Sequence, residues 1–309
     1  MIRPRPVALI GAGPVARSSI ARFLPGHVGP VKSASFRVAG RIVGRLRAGR
    51  AVKEYGDLEQ SRLIVVCVPE RALPGLIADL AASSLDLSRK SVALCDSFLD
   101  SGALAPLAER GAAVASLNEV PGFGGKRFVA EGHPRAIRDL RRLLAHAEAR
   151  VLELKPGTKA VFLAGLSFAG ELFAPLAFAA QSSFHLAGLQ GGQASALIQQ
   201  AFERSLRSYA TAGRKGWTGP IASGNQAEVL RQIETLERAS PSLARFLRQS
   251  AEVALELFGR DSAWLRAWPG ADDPAGKLTP SAFPPAPGSS GSPPPSAPCR
   301  ASARAASSA

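Results

Sequence analysis

The chain has 309 residues and is 46% hydrophobic, so it is long enough to bury the cores of two domains. Its formal net charge of +14 attracts polyanions, but the sequence has no zinc-finger spacing, recognition-helix pattern or interleaved aromatic and basic residues, which argues against nucleic-acid binding. Cys67, Cys95 and Cys299 have neither metal-ligand nor redox spacing, so no metal site is expected.

Residues 7–10 are an apolar run that ends in a glycine-rich turn and continues into residues with helical spacing. The turn has the pattern G-x-G-x-x-A, formed by Gly11, Ala12, Gly13, Pro14, Val15 and Ala16. Gly11 allows a tight turn, Gly13 lets a pyrophosphate approach the backbone, and Ala16 is small enough for the helix to pack on the strand. Because exposed amides at the start of a helix favour an anion, this turn predicts a dinucleotide site. The alternative is a strand, turn and helix that bind no ligand.

The residues after the second candidate strand, 28–32, indicate which dinucleotide is bound. An NAD site normally places an acidic residue about twenty residues after the glycines, but this chain has none before Glu54. Cations and hydroxyls surround the turn instead, namely Lys32, Ser33, Ser35, Arg37 and Arg41. Guanidinium and hydroxyl groups can bond a 2′-phosphate, so Ser33, Ser35 and Arg37 favour NADP over NAD. The alternative is that the arginines form the solvated face of a helix over 36–46.

Strands and helices continue to alternate up to residue 154. Strands are predicted at 63–68, 91–95, 112–116, 128–132 and 151–154, and helices at 71–82, 102–110 and 134–149. This alternation predicts an α/β fold with an N-terminal Rossmann-like doubly wound parallel sheet in residues 1–154. Ligands of such sheets bind beyond the carboxyl ends of the strands. The residues expected on that rim, besides Gly11, are Pro69, Glu70, Asp96, Ser97 and Asn118. All of these but Asn118 are predicted cofactor contacts, and so is Val68.

The character of the sequence changes at residue 155, where an all-helical C-terminal domain is predicted over 155–259. Residues 158–187 are almost entirely apolar or small, with Glu171 and Pro175 among them. A membrane span is one interpretation. The central acid, the proline and the many small residues favour a buried core helix that can also form a homodimer. From 260 to 309, Pro, Ser and Ala dominate, which predicts a disordered tail.

Several short motifs together carry a family resemblance. They are the glycine turn at 11–16, Val68-Pro69-Glu70, Ser101-Gly102, the segment 128–132, Lys159-Ala160 and the T-G-P-x-x-x-G loop at 218–224 with Asn225 after it. A Rossmann domain followed by a helical domain with this loop resembles a family of uncharacterised Rossmann-like oxidoreductases whose C-terminal domain is of unknown function. That family is similar in layout to pyrroline-5-carboxylate reductase, ketopantoate reductase and the 3-hydroxyacid dehydrogenases. The resemblance covers residues 1 to about 259.

The chain departs from the family pattern at three places. Asn118-Glu119 replace a His-Pro pair, Phe162-Leu163 replace a Tyr-His pair, and Gly170 or Glu171 stands where the family has an asparagine. The resemblance implies hydride transfer between NADPH and a small carbonyl, imine or hydroxy-acid substrate. Lys159 is then the candidate catalytic residue, as proton donor or polarising group. A solvated lysine is the alternative for Lys159, and a buried acid bonded to a neighbouring helix or subunit is the alternative for Glu171.

Three functions remain open from the sequence. The first is an NADP-dependent reductase acting on a small molecule. The second is a non-catalytic NADP-binding sensor or scaffold that dimerises through its helical domain, and the third is a binder of nucleic acid or anionic surfaces. The N-terminus enters the first strand directly, without room for a signal peptide, and Cys67 and Cys95 look like buried thiols, so a cytoplasmic location is expected without a membrane partner.

Overall fold

The computed structural model describes residues 6–11, 18–189 and 192–267. The chain forms two compact units, Met1–Ala174 and Pro175–Ala309. Ala12, Gly13, Pro14, Val15 and Ala16 of the glycine turn lie outside the described residues, as does the predicted tail beyond 267. The predicted contacts of those five residues and the predicted domain boundary at 155 stay predictions.

The first unit is built on one eight-stranded sheet. The strands are β1 (Val7–Gly11), β2 (Val28–Lys32), β3 (Arg50–Ala51), β4 (Leu63–Cys67), β5 (Ser91–Cys95), β6 (Ala113–Glu119), β7 (Arg127–Gly132) and β8 (Arg150–Glu153). Their order across the sheet is β3-β2-β1-β4-β5-β6-β7-β8, and the pairing is parallel from β3 to β6. The predicted α/β fold with a mostly parallel N-terminal sheet is therefore confirmed.

The strand β7 departs from the predicted parallel arrangement, because it runs antiparallel to β6. Residues 120–126 turn the chain back as a hairpin, in which the Val120 amide donates to the Arg127 carbonyl at 2.9 Å. Three glycines of this loop, Gly122, Gly124 and Gly125, have left-handed backbone that glycine adopts without steric cost. A hairpin of this length cannot join two parallel strands, so the glycine-rich loop is the cause of the reversal.

Helices cover both faces of the sheet. They are α1 (Phe36–Leu46), α2 (Leu73–Ala82), α3 (Ala105–Glu109) and α4 (Pro134–Ala145), with 3-10 turns at Ser19–Phe23, Tyr55–Leu58, Glu70–Ala72 and Ser101–Leu104. A further helix, α5 (Lys159–Leu166), follows β8. Alternate residues of each central strand enter two different apolar clusters. One cluster joins the sheet to α1 and α4, and the other joins it to α2 and α3. The strands β1, β4 and β5 are buried along their whole length, as expected for a sheet covered on both sides.

The rest of the described chain is helical. After a π-helical turn at Ser167–Glu171 come α6 (Phe173–Leu186), α7 (Gly192–Ala212), a 3-10 turn at Gly213–Gly216, α8 (Pro220–Ser223), α9 (Gln226–Ala239), α10 (Pro241–Leu257) and α11 (Ala263–Arg266). The core of the second unit forms where α9 packs on α10. Asn225 caps α9, because its side chain accepts from the Glu228 amide at 3.3 Å. Residues 260–267 are not part of a disordered tail: Leu265 of α11 is buried in this core.

The apolar run at 158–187 is helical, but the expectation that it is buried within the chain is wrong. In α5 and α6 the buried residues are Lys159 and Ser182, whereas Val161 and Phe168 have 72% and 71% of their surface exposed. The run Lys159–Leu186 contains an 18-residue window with a mean hydropathy of 1.7, and by length and composition the run is long and apolar enough to cross a membrane. Apolar residues surround this helix on every side, so one neighbouring element cannot cover it.

Candidate functional site

The carboxyl ends of β1, β4 and β5 lie next to one another on a single edge of the sheet. Gly11 at the end of β1 is paired with Cys67 at the end of β4, and β4 is paired in parallel register with β5. The segments that leave β4 and β5 therefore begin side by side. They include Val68, Pro69, Glu70, Asp96 and Ser97, the residues predicted to contact a cofactor.

Asp96 links the end of β5 to the 3-10 turn at Ser19–Phe23. Its carboxylate accepts from the Ser19 amide at 2.9 Å and from the Ser19 hydroxyl at 2.5 Å. Asp96 has a left-handed backbone with φ of 55°. Aspartate tolerates this conformation better than most residues do, because its short polar side chain can bond locally.

Glu70 holds the loop that follows Asp96. Its Oε1 accepts from the Ser97 hydroxyl at 2.8 Å and from the Phe98 amide at 2.7 Å. The Ser97 hydroxyl in turn accepts from the Leu99 amide at 3.0 Å. These bonds, first of all the one from Ser97, lower the pKa of the Glu70 carboxyl. Glu70 and Ser97 therefore set the backbone of the loop.

Lys159 is buried, with 2% of its surface exposed, so the alternative of a solvated lysine is wrong. Its Nζ donates to the Leu99 carbonyl at 2.7 Å, which attaches α5 to the same loop. Burial lowers the pKa of Lys159, and the negative charge of Glu131 is the strongest influence that opposes this shift. The ammonium is thus held at the rim of the sheet and loses its proton more readily than a lysine in water.

Glu131 on β7 is the functional candidate that sequence reasoning did not single out. It is fully buried, and its carboxylate accepts three hydrogen bonds. The Ser101 amide and the Ser116 hydroxyl donate to Oε1 at 2.6 and 2.5 Å, and the Ser101 hydroxyl donates to Oε2 at 2.8 Å. The signal was a lone acid in an apolar strand, because a carboxylate is buried only where partners compensate for lost water.

Gly132 explains why a glycine follows this glutamate. Its φ is 122°, and a Cβ atom there would lie 2.4 Å from the Val114 carbonyl oxygen and 3.1 Å from the Ser101 Cβ. Any other residue would push β7 away from β6 and from Ser101. The Glu131 carboxylate could not then reach its donors, so the pair Glu131-Gly132 forms one structural unit.

A second group of candidate residues lies where β2 and β3 end. The Ser33 hydroxyl donates to the Gly11 carbonyl at 2.6 Å, so it ties β2 to β1. The Ser35 hydroxyl accepts from the Val38 amide at 3.3 Å and caps α1. Arg37 is exposed in the first turn of α1, and that turn contains no acid.

Lys53, just beyond β3, belongs to this second group although the sequence did not single it out. Its Nζ lies 5.5 Å from the centre of the Phe36 ring at the start of α1, and the Nζ of Lys32 lies 4.4 Å from the Tyr55 ring. Such contacts with aromatic faces favour a cation. Because β3 pairs with β2, Lys32 at the end of β2 and Lys53 after β3 lie at neighbouring strand ends, a relation that depends on the sheet and not on spacing.

The structure also describes the other residues that the sequence analysis named. Glu171 is exposed in the π-helical turn, so within this chain it is not a buried acid. The Oδ1 of Asn118 is buried and, in the described part of the chain, accepts no hydrogen bond. Cys67 and Cys95 are buried free thiols, and the contact with Cys67 together with burial raises the pKa of Cys95 well above its usual value. Within residues 6–11, 18–189 and 192–267, no cluster of three or more His, Cys, Asp or Glu could hold a metal.

The chain is similar in fold to solved structures of NAD(P)-dependent reductases, at low sequence identity. It is similar to a Bacteroides fragilis protein provisionally assigned as an NADP oxidoreductase, with TM-score 0.60 and 13% identity over 83% of this chain and 99% of that one. An imine reductase variant from Myxococcus stipitatus, solved with NAD+, matches with TM-score 0.57 and 13% identity over 83% and 93%. An imine reductase from Aspergillus terreus, solved with NADPH4 and dibenz[c,e]azepine, matches with TM-score 0.51 and 15% identity over 84% and 89%.

The family comparison concerns the C-terminal part of the chain. Residues 127–253 match the model of a domain of unknown function, DUF2520. Among curated protein sequences, none matches this chain. The resemblance to Rossmann-like oxidoreductases with a C-terminal domain of unknown function is therefore confirmed, and the solved structures of this fold include complexes with nicotinamide dinucleotides.

Proposed function

We propose that the protein is an NADP-dependent oxidoreductase that transfers a hydride between NADPH and a small carbonyl, imine or hydroxy-acid substrate. The observation that carries the proposal is the buried Lys159, which meets the loop after β5 on the edge where β1, β4 and β5 end. Ligands of doubly wound sheets bind at this edge. The dinucleotides bound by solved relatives of the same fold support the same class.

The donor groups at the ends of β2 and β3 fit the 2′-phosphate of NADP. Arg37 and Lys53 supply cations, and the Ser35 hydroxyl can donate to the phosphate because, among the described residues, it accepts from Val38 and donates to none. The Ser33 hydroxyl gives its hydrogen to Gly11, so Ser33 positions the end of β1 and does not bond the phosphate. With no acid in the first turn of α1, nothing there repels a phosphate.

The chemistry assigned to this chain is the supply of a proton. NADPH, when bound, supplies the hydride. The Lys159 ammonium gives a proton to the substrate oxygen or nitrogen that gains electrons, and the resulting amine takes a proton from water. Burial lowers the pKa of Lys159, which makes it a better acid than a solvated lysine. Glu70 and Ser97 keep the loop that receives the Lys159 hydrogen bond in place.

A second candidate is a non-catalytic NADP-binding sensor or scaffold. The observation that favours it is the apolar character of α5, in which Phe162 and Leu163 stand where the resembling family has tyrosine and histidine. A substrate beside this helix would meet fewer groups able to orient it. In this case Lys159 serves only to hold the loop at Leu99, and bound NADP changes how the protein associates.

The helical region is proposed to form a homodimer, in either function. The run Lys159–Leu186 and α7 expose several large apolar side chains, among them Val161, Phe168 and Leu206. Exposed apolar surface on this scale marks an interaction site. A second copy of the chain is a better match for it than lipid, because Glu171 is charged and lies in the middle of the run. A cytoplasmic location is part of the same proposal, supported by the free thiols of Cys67 and Cys95.

The test is a titration of the full-length protein with NADPH and, separately, with NADH, followed by nicotinamide fluorescence. Saturable binding with tighter affinity for NADPH is expected, and failure of both ligands to bind overturns both candidate functions. Turnover is then sought with a panel of keto acids, cyclic imines and hydroxy acids. Turnover that is lost in Lys159→Met supports the reductase, whereas binding without turnover of any panel member favours the sensor.

A further inference from the structure

The ammonium of Lys159 occupies a position that is unfavourable without a counter-charge. It is almost fully buried, and its only hydrogen bond to the described residues is with the neutral Leu99 carbonyl. Lys159 is also the first residue of α5, where the helix dipole disfavours a positive charge. An isolated buried ammonium is strongly destabilised. Some negative charge must therefore compensate for the burial of Lys159.

The acidic groups that act on Lys159 come from three elements. Glu131 lies on β7, Asp100 follows β5, and Glu70 follows β4. Among them Glu131 has the largest effect on Lys159. Glu70 has the smallest effect on the pKa of Lys159, and its carboxylate accepts from Ser97 and Phe98.

The carboxylate of Glu131 is held in one orientation. Ser116 lies directly opposite Glu131 in the antiparallel pair of β6 and β7 and donates to it, and Ser101 donates through both its amide and its hydroxyl. Ser101 and Leu99 are two residues apart on the segment after β5. Glu131 therefore binds this segment at Ser101, while Lys159 binds it at Leu99.

We infer that Glu131 is the positioning residue of the site: it supplies the counter-charge that holds the Lys159 ammonium buried against the segment after β5. This inference rests on the proposed function for its relevance to catalysis, since the counter-charge favours the protonated form of Lys159, which is the proposed proton donor. The hairpin that reverses β7 and the Gly132 backbone bring the carboxylate to this place. Glu131 acts through Lys159 and touches neither cofactor nor substrate.

The direct test measures the titration of Lys159 by NMR in the full-length protein labelled with 13C at lysine side chains, without cofactor. Lys159→Met identifies the signal by its disappearance. In Glu131→Gln, loss of the counter-charge is expected to lower the titration midpoint of Lys159 by about 1 unit or more. Glu153→Gln, an exposed acid at the end of β8, is the matched control and is expected to leave the midpoint unchanged. An unchanged midpoint in a folded Glu131→Gln protein overturns the inference.

A double-mutant cycle covers the case in which a single variant does not fold. Glu131→Gln leaves a buried ammonium without a counter-charge, and Lys159→Met leaves a buried carboxylate. The double variant removes both charges, so it is expected to resist urea better than either single variant, or to fold where they do not. If the losses in stability of the two single variants add up in the double variant, the two charges are not paired.

The outcome for the reductase is read separately. With a substrate from the panel, activity falls as pH rises through the pKa of Lys159, because the ammonium is the acid. Glu131→Gln is therefore expected to move this fall to lower pH. A shifted NMR titration without NADPH binding keeps the Glu131 assignment and rejects the proposed function. NADPH binding and turnover together with an unshifted titration keep the proposed function and reject the Glu131 assignment.

Discussion

Asp96 and Ser19 are 77 residues apart in the chain and are joined by two hydrogen bonds, from the Ser19 amide and the Ser19 hydroxyl to the two carboxylate oxygens. The bonds connect the end of β5 with the 3-10 turn after the glycine-rich segment. The predicted dinucleotide site lies between these two parts of the chain. Its geometry therefore depends on a side-chain contact as well as on the sheet.

Substitutions at Asp96 are expected to distinguish how much its hydrogen bonds and its left-handed backbone each contribute to stability. Asp96→Asn keeps one good acceptor and tolerates the left-handed backbone, Asp96→Gly keeps only the backbone, and Asp96→Ala keeps neither. We expect stability to fall in the order Asp, Asn, Gly, Ala, with Gly and Ala separated by about 1 kcal/mol. Urea unfolding followed by circular dichroism measures the order. If Ala is as stable as Gly, the left-handed backbone is not retained in solution.

The cations beyond β2 and β3 are expected to set the preference for NADPH. Lys53→Ala and Arg37→Ala each remove one charged donor, which is worth about 1.5 kcal/mol or roughly a tenfold loss of affinity. The loss is expected for NADPH and not for NADH, because only NADPH carries the 2′-phosphate. Isothermal titration with both ligands measures it. Arg138→Ala, which removes an exposed charge on α4, is the control, and equal weakening of both ligands would contradict the assignment.

The stacked rings of His27 and His146, 4.5 Å apart, are expected to make stability depend on pH. Burial first, and then the neighbouring His146, lower the pKa of His27 below its usual 6.5. At a pH between the His27 pKa of the folded protein and that of the unfolded chain, the unfolded chain binds more protons. Stability therefore falls as pH decreases through 6.5, and the loss is complete below the His27 pKa of the folded protein.

Urea midpoints at pH 7.5 and pH 5 test this relation in the native protein and in His146→Gln. We expect a smaller pH-dependent loss in His146→Gln, because one cause of the shift is removed. His185→Gln, an exposed histidine on α6, is expected to behave like the native protein. If the two variants lose stability equally on acidification, His146 does not contribute to the lowered pKa of His27.

The exposed apolar helices are expected to pair two copies of the chain. Phe168→Glu places a charge on a surface with 71% of the side chain exposed, so it should convert a dimer to a monomer without unfolding the chain. Phe123→Glu makes the same change on the exposed β6–β7 hairpin and should remain dimeric. Light scattering after gel filtration measures the mass. A native protein that is monomeric and binds to lipid vesicles would instead assign the run Lys159–Leu186 to a membrane.

Much of the first unit could be predicted from the sequence, because strands buried on both faces leave continuous apolar runs such as residues 63–67 and 91–95. The cap at Asn225 was predictable for a similar reason, since capping depends on neighbours within one turn. The placement of the candidate cofactor contacts on the rim of the sheet followed from the rule that ligands bind beyond strand ends. Lys53 was not found, because its place beside α1 depends on the pairing of β3 with β2.

The sequence by itself determined the alternation of strands and helices, the glycine turn after β1 and the excess of cations before Glu54, because each of these depends on local pattern and composition. Only the tertiary structure decided that the Glu131 carboxylate is buried against Ser101 and Ser116, that Lys159 is buried against the Leu99 carbonyl, and that much of the apolar run at 159–186 is exposed. The physical reason is that a buried charge is stable only with partners and that an apolar face is buried only where another element covers it. These partners are chosen by contacts between residues that are distant in the chain.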